Sequence, residues 1–461
     1  MALAAACRVP IFRPRTVGSR ARRLCTNSTV RTADRIQTLL SQGNVFSDFT
    51  SLANEHGAMN LGQGFPSFGS PPFLGPLLAD ACKGDVFQES GQPPENFNNQ
   101  YTKPGEEPLL ANVLAEEYSD RFGRTVVPGN VCTTVGAQEG IFTTLSAFCN
   151  PGDEIVVVTP AFDSYFKSAS VLGLAVKACP MTSVSGETPT DAGEYTLDPE
   201  MLRATLSADT KLLLLNTPSS PLGKVFTPDE LLAIADVVKD FPNMVVLSDE
   251  VYEHMVFDGK RHAHIAALQD RMWNQTVSVF SAGKTFSCTG WRLGYIIGPE
   301  HLIHPIKTLH AAINFSTTTP LQKSTAQAFS EAKKVSYFDW LPRILQEKRD
   351  VFCAGLTQIG VPFVKPEGGY FLVADVSMFY ALAGIDETGF DRILPDANLY
   401  DRPDVRFCEW LTKEVGVAPI PMSPFYTPEQ RHLANNFVRF AYCKDDRTLN
   451  TAVERLEAKL K

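Results

Sequence analysis

Ser281-Ala-Gly-Lys284-Thr-Phe-Ser-Cys-Thr-Gly-Trp-Arg292-Leu-Gly sets one lysine between a hydroxyl and a second cation, directly after the apolar run Thr276-Val-Ser-Val-Phe280. The run reads as a buried strand. Lys284 therefore sits just past a strand's carboxyl end, where α/β proteins place ligands. A lysine there can hold an aldehyde cofactor as a Schiff base, and Ser281 and Arg292 can hold a phosphate. The competing reading is a surface turn with two ordinary cations.

On either side of this stretch, strand-like and helix-like patterns alternate. Short apolar runs stand at 131–135, 154–158, 211–216, 244–249 and 293–298, with helical stretches such as 138–148 and 228–239 among them. Continuous apolar strands alternating with helices predict an α/β fold with a mainly parallel sheet buried on both faces. Beyond about residue 340 the pattern changes to a long helical stretch, 341–359, strands at 369–376 and 437–442, and a terminal helix. That part reads as a smaller α+β domain with a polar surface excursion over 384–404. The expected organisation is a leader (1–33), an arm joining the small domain (34–75), a large domain (76–335) and a small C-terminal domain (336–461).

Composition narrows the function. With 461 residues, 44% of them hydrophobic, the chain can bury a large core. A net charge of −9 argues against a nucleic-acid partner, which calls for a basic face. No apolar run approaches the roughly 20 residues needed to span a bilayer. Ten cysteines without a C-x-x-C pair suggest buried thiols in a reducing compartment. His262 and His264 lie in a polar turn, which reads as a solvated loop rather than a metal site, and no metal is expected. The leader carries Arg8, Arg13, Arg15, Arg20, Arg22, Arg23 and Arg31 and no acidic residue before Asp34. This fits a mitochondrial transit peptide, the alternative being a disordered basic tail.

Five further pieces carry chemistry. Val135-Gly136-Ala137-Gln138 joins a strand to a helix, and backbone N–H groups at a helix start bind phosphate. Phe162, in Pro160-Ala-Phe-Asp-Ser-Tyr165, could stack on a heteroaromatic ring or fill the core. Asn216-Thr-Pro-Ser-Ser220-Pro-Leu-Gly-Lys224 is a fixed turn able to present Asn216 and Ser220 inward. Asp249, at the end of the strand in Ser248-Asp-Glu-Val-Tyr252, needs a partner if buried, and a protonated pyridine nitrogen is one. Tyr252 could donate to that ring's phenolic oxygen. Arg439, inside a late apolar strand, needs an anion; its fork matches a carboxylate, whether a substrate's or that of a structural ion pair.

In order and content these pieces resemble the class I/II aminotransferases of fold type I, over nearly all of residues 34–461. Within that family the chain is most similar to the kynurenine aminotransferases, also described as cysteine-S-conjugate β-lyases or glutamine transaminase K. The segments that carry the likeness are Asn60-Leu-Gly-Gln-Gly-Phe-Pro66, Asn99-Gln-Tyr-Thr102, Asn216-Thr-Pro with Pro221-Leu-Gly-Lys-Val225, Ser248 to Tyr252, Ser281 to Ser287 with Thr289-Gly-Trp291, Gly369-Tyr-Phe371 and Val438-Arg-Phe440. The resemblance implies pyridoxal 5′-phosphate on Lys284, which also moves the proton at the substrate α-carbon. It implies Asp249 at the pyridine nitrogen, Phe162 stacked on the ring, and Asn216 and Tyr252 at its oxygen. The phosphate falls to the backbone at Ala137 and Gln138 with Ser281 and Arg292. Arg439 and the backbone of Gly64 would take the substrate carboxylate, and Tyr101 would come from the partner subunit of a homodimer.

Three positions depart from the family pattern. Ser220 stands where asparagine is usual, Phe46 where kynurenine aminotransferases have tryptophan, and Arg292 where lysine is usual. Phe46, Tyr101, Phe162 and Phe315 are expected to line an apolar pocket, which favours large uncharged amino acids such as kynurenine, phenylalanine, glutamine and methionine, with 2-oxoglutarate or another 2-oxo acid as partner substrate. Transamination and β-elimination are both open. The rivals are an aspartate- or alanine-type transaminase, a dedicated carbon–sulfur lyase, and a non-catalytic aminotransferase-like module.

Overall fold

The computed structural model describes residues 31–83, 98–183, 188–386 and 398–461, so the arginine-rich leader lies outside the described residues except for its last three positions. Seven strands make the main sheet: β1 (Val131–Thr134), β2 (Glu154–Thr159), β3 (Ala175–Pro180), β4 (Thr210–Asn216), β5 (Val245–Asp249), β6 (Thr276–Ser281) and β7 (Gly294–Ile297). Their spatial order is β1-β7-β6-β5-β4-β2-β3. All run parallel except β7, which is antiparallel to both neighbours.

The continuous apolar runs follow from burial on both faces. Successive strand side chains point to opposite sides. Leu213 and Leu215 accordingly join one core cluster, while Leu212 and Leu214 join the other. Helices cover each face: Gly136–Phe148, Asp163–Leu172 and Glu300–Asn314 on one, Pro108–Phe122 and Pro228–Val238 on the other. The last of these begins with a reciprocal cap, Thr227 accepting from the Glu230 amide and Glu230 accepting from Thr227, with Pro228 in the first turn.

Register brings several strand ends to one edge. Asn216 pairs with Asp249 across β4 and β5. Gly294, the first residue of the reversed strand, pairs with both Ser281 and Thr134. Four sequence-distant segments thereby deliver polar residues to a single line.

The C-terminal part holds a second, antiparallel sheet of β8 (Phe363–Val364), β9 (Phe371–Asp375), β10 (Ile420–Pro421) and β11 (Phe437–Ala441), in the order β8-β9-β11-β10. The helices Tyr337–Ile359 and Asp446–Leu460 lie against each other so closely that a Cβ on Gly355 would come within 2.5 Å of Val453. The N-terminal arm joins this part through parallel pairing of Met59–Asn60 with Val417–Ala418.

Two expectations need correction. The turn holding His262 and His264 is not solvated. The chain folds back after β5, and both imidazoles bond the same oxygen of buried Glu250, His262 Nε2 at 2.8 Å and His264 Nδ1 closer still. Ser278 donates to the other Glu250 oxygen at 3.0 Å. Burial works to raise the Glu250 pKa, but the two imidazoles overcome it and hold the carboxylate ionised. The three residues lie close enough to hold an ion, and here their atoms are joined by hydrogen bonds. The polar excursion over 384–404 lies partly outside the described residues, and its end is core: Arg402 and Asp404 are buried. Asp404 is drawn in because its carboxylate accepts from the Ser423 amide and hydroxyl, both at 2.7 Å. The eight cysteines among the described residues are free, and seven are buried.

Candidate active site

A cavity of about 450 Å³ opens where these strand ends meet the C-terminal part, a size typical of small-molecule sites. Phe46, Gly64, Ala137, Gln138, Phe162, Asn216, Ser220, Asp249, Tyr252, Ser281, Lys284, Arg292 and Arg439 all line it. Tyr101, expected to enter it from a partner subunit, and Phe315, expected in the same pocket, do not line it within this chain. They stack edge-on with ring centres 4.8 Å apart and lie 80% and 53% exposed, outside the pocket of their own chain.

Lys284 stands on the short helix Ala282–Thr285, whose first turn is closed by the Lys284 amide donating to Ser281 Oγ at 3.2 Å. Its Nζ donates to the Gly64 carbonyl at 2.8 Å and lies 5.4 and 5.1 Å from the Tyr252 and Tyr370 ring centres. Burial lowers its pKa to about 8, with the Arg439 charge pushing the same way and Cys443 and Asp249 opposing. A lysine so placed reaches its neutral, nucleophilic form near physiological pH.

Asp249 is buried at the end of β5. It accepts from Tyr165 Oη at 2.5 Å and from the Val251 amide at 3.3 Å. Burial raises its pKa to about 6 although both hydrogen bonds pull downward. A cation brought to this carboxylate from the cavity would supply the partner that the protein withholds. Asn216 is fixed at both ends of its amide, donating to the Asp249 carbonyl at 2.8 Å and accepting from the Ser220 amide at 2.6 Å. The turn 216–220 is thus locked to the strand that carries Asp249.

The opposite end of the cavity suits an anion. The helix Gly136–Phe148 points its first amides inward, and Gly136 has φ +74°. A Cβ at Gly136 would meet Arg292 Nη2 at 2.5 Å, and one on Gly294 would meet the Ala137 nitrogen at 2.5 Å. Both glycines keep open a cradle of backbone N–H groups beside a guanidinium, the arrangement that binds phosphate. Arg292 is held in place by donating to the Thr289 carbonyl at 3.0 Å.

Arg439 comes from β11, where it pairs with Val373 and Ile420. It is 2% exposed. Its guanidinium carbon lies 3.7, 4.8 and 5.4 Å from the ring centres of Phe371, Phe425 and Phe46. Nη2 donates to the Gly62 carbonyl at 2.9 Å, while buried Nε has no hydrogen-bond partner among the described residues. Burial lowers its pKa to about 10. A buried guanidinium that lines the cavity without a carboxylate partner among the described residues is suited to receive one. With the glycine cradle at the far end, the donor set fits a phosphorylated pyridine aldehyde and an amino acid at once.

Sequence reading gave no role to Tyr165, Tyr370, Phe371, Asp163 or Lys167. Tyr165 and Phe371 act through Asp249 and Arg439, partners that are remote in sequence. The Tyr370 hydroxyl donates to the Lys284 carbonyl at 3.2 Å.

The family described as aminotransferase class I and II matches residues 58–456. The chain is 38% identical to a kynurenine–oxoglutarate transaminase of Dictyostelium discoideum, over 89% of its own length and 93% of the relative's. It is 36% identical to human kynurenine–oxoglutarate transaminase 1, over 90% and 95% of the two chains. The crystal structure of Bna3p from Saccharomyces cerevisiae superposes with a TM-score of 0.83 at 32% identity, covering 94% of this chain and 99% of that one. A lysine at a strand end, a carboxylate behind it and an open arginine before it are thus set on a matching fold, and the chain belongs to the class I and II aminotransferases.

Proposed function

We propose that this aminotransferase moves the amino group of kynurenine and other large neutral amino acids to 2-oxoglutarate, with pyridoxal 5′-phosphate held on Lys284. The observation that carries the reading is the Lys284 side chain, with its lowered pKa, set in one cavity with Asp249 and Arg439. When bound, the cofactor supplies a cationic ring that takes up the electrons of the substrate α-carbon, which opens both amino transfer and β-elimination on cysteine S-conjugates.

The residues divide that work. Arg439 receives the α-carboxylate and fixes which bond of the α-carbon faces Lys284. Lys284, with its lowered pKa, takes the α-proton and returns it. Asp249 would keep a ring nitrogen protonated, and Tyr165 holds Asp249 at its place. Phe162 would pack against the cofactor ring, Asn216 and Tyr252 would hold its oxygen, and the start of the helix Gly136–Phe148 with Ser281 and Arg292 would hold its phosphate. Aromatic side chains at Phe46 and Phe371 favour a large planar substrate, and the names of the relatives support kynurenine.

Two further parts of the reading rest on the sequence. The exposed pair Tyr101 and Phe315 would complete the pocket of a second copy, so the functional unit is a homodimer. The leader directs the chain to mitochondria. Purified protein should show a visible absorption band, and borohydride should fix the label to Lys284. Lys284→Ala should keep the fold and phosphate binding and lose turnover. Near-normal transamination by that variant would overturn the assignment.

A further inference from the structure

We infer that Lys167 is the residue that recognises the second carboxylate of a dicarboxylic substrate. This deepens the reading above, because it rests on 2-oxoglutarate being the amino acceptor. Lys167 lines the active-site cavity from the helix Asp163–Leu172, although no segment of the sequence marked it. Its Nζ lies 5.9 Å from the centre of the Phe46 ring, and the Arg439 guanidinium lies 5.4 Å from the same ring. Both cations therefore lie near one aromatic side chain on the cavity wall.

The two distances taken end to end put the cations at most about 11 Å apart, within reach of a five-carbon diacid. Its four C–C bonds span ~5 Å at the ~1.2 Å per bond of an extended chain, and a hydrogen bond of ~2.8 Å at each end bridges the remainder. With one carboxylate on Arg439, the other can extend to Lys167 on the same cavity wall.

The ammonium is also held and available. Lys167 Nζ donates to Asp163 Oδ2 at 2.5 Å, and the Lys167 side chain keeps about a third of its surface exposed while that of Asp163 is buried. An ammonium carries three donors, so one is spent on Asp163 and two remain. Asp163 thus acts as a positioning residue that keeps the lysine at the pocket wall. A neutral side chain leaves this pair closed, whereas a distal carboxylate adds a second acceptor. The same site can in this way take a neutral amino donor and an acidic acceptor in turn. Asp163 and Lys167 also form the wall shared with a second cavity of about 250 Å³, which gives the lysine room to shift.

The test compares wild type with Lys167→Met and Lys167→Arg. With one amino donor, the ratio of kcat/KM for 2-oxoglutarate to that for phenylpyruvate should fall at least tenfold in Lys167→Met and recover largely in Lys167→Arg. Glutarate, bound at equilibrium and followed through the visible band of the holoenzyme, should lose affinity by a similar factor, and pentanoate by less. An unchanged ratio together with unchanged glutarate affinity overturns the inference. If wild type uses phenylpyruvate but not 2-oxoglutarate, the acceptor reading fails, and the glutarate measurement still decides the role of Lys167.

Discussion

Replacing Asp249 by asparagine separates stability from catalysis in the cofactor-free protein. Burial raises the Asp249 pKa from 3.8 to about 6. A carboxylate whose folded pKa lies above its unfolded one is protonated more readily in the native state. It therefore takes stability away as pH rises through the interval between the two values. At 1.36 kcal/mol per unit, the full penalty above pH 6 is about 3 kcal/mol, and roughly half of it is present at pH 5. Asparagine keeps the shape and the acceptor for Tyr165 but has no charge to bury. The apo variant should thus outlast apo wild type in urea at pH 8, with a gap about 1.4 kcal/mol smaller at pH 5. Loading the cofactor should narrow or reverse the gap at pH 8, since a cation then answers Asp249 alone, and the variant should lose most of its turnover. An equal gap at pH 5 and pH 8 in the apo proteins would refute the argument, because it would mean that Asp249 is not held at a raised pKa.

Ser220→Asn restores the side chain usual in the family beside the Asn216 amide. A hydrogen bond to a charged group contributes on the order of 1.5–3 kcal/mol, so KM for the amino donor should fall about tenfold or more. An unchanged KM for kynurenine, glutamine and phenylalanine would show that position 220 does not meet the substrate. Gly136→Ala should raise the cofactor dissociation constant about tenfold in an absorbance titration, because Cβ meets Arg292 Nη2 at 2.5 Å and φ is +74°; unaltered affinity would exclude the proposed cradle. Deleting about the first 30 residues should leave activity intact and move a tagged protein from mitochondria to cytosol, and unaltered targeting of the truncated form would rule out the leader.

What the sequence disclosed tracks what local pattern can encode. The apolar runs that became β2, β4, β5 and β6 were legible because strands buried on both faces are apolar throughout. Asp249, Asn216 and Lys284 were legible because each interrupts such a run at its end. The edge strand β3 was not, because its residues alternate between exposed and half-buried positions and only Cys179 is buried. The reversed direction of β7 has no local signal, since an apolar run reads the same either way. Tyr165 and Lys167 escaped notice because their roles depend on partners across the fold. Tyr165 meets Asp249 from 84 residues away, and Lys167 meets Phe46 only once the arm has crossed the cavity. His262 and His264 were misread for the same reason. Their acceptor, Glu250, belongs to the strand end whose preceding residue faces the cavity, and nothing in a polar turn reveals that it folds back beneath it.

Arg439, boxed by Phe46, Phe371 and Phe425, has already been stripped of water when the substrate arrives. The dehydration of that cation happens once, as the chain folds, and need not be repeated at each turnover. An α-carboxylate docking on Arg439, as proposed above, would meet a partner with little solvent to displace, so little of its binding would be spent there. The same arrangement discriminates by chemistry where shape would fail. An amine that has lost its carboxylate presents the same reactive nitrogen and the same aromatic bulk, yet it leaves the boxed guanidinium facing nothing. Decarboxylated analogues of the substrate are thus turned away by an unanswered positive charge, however well they fill the pocket.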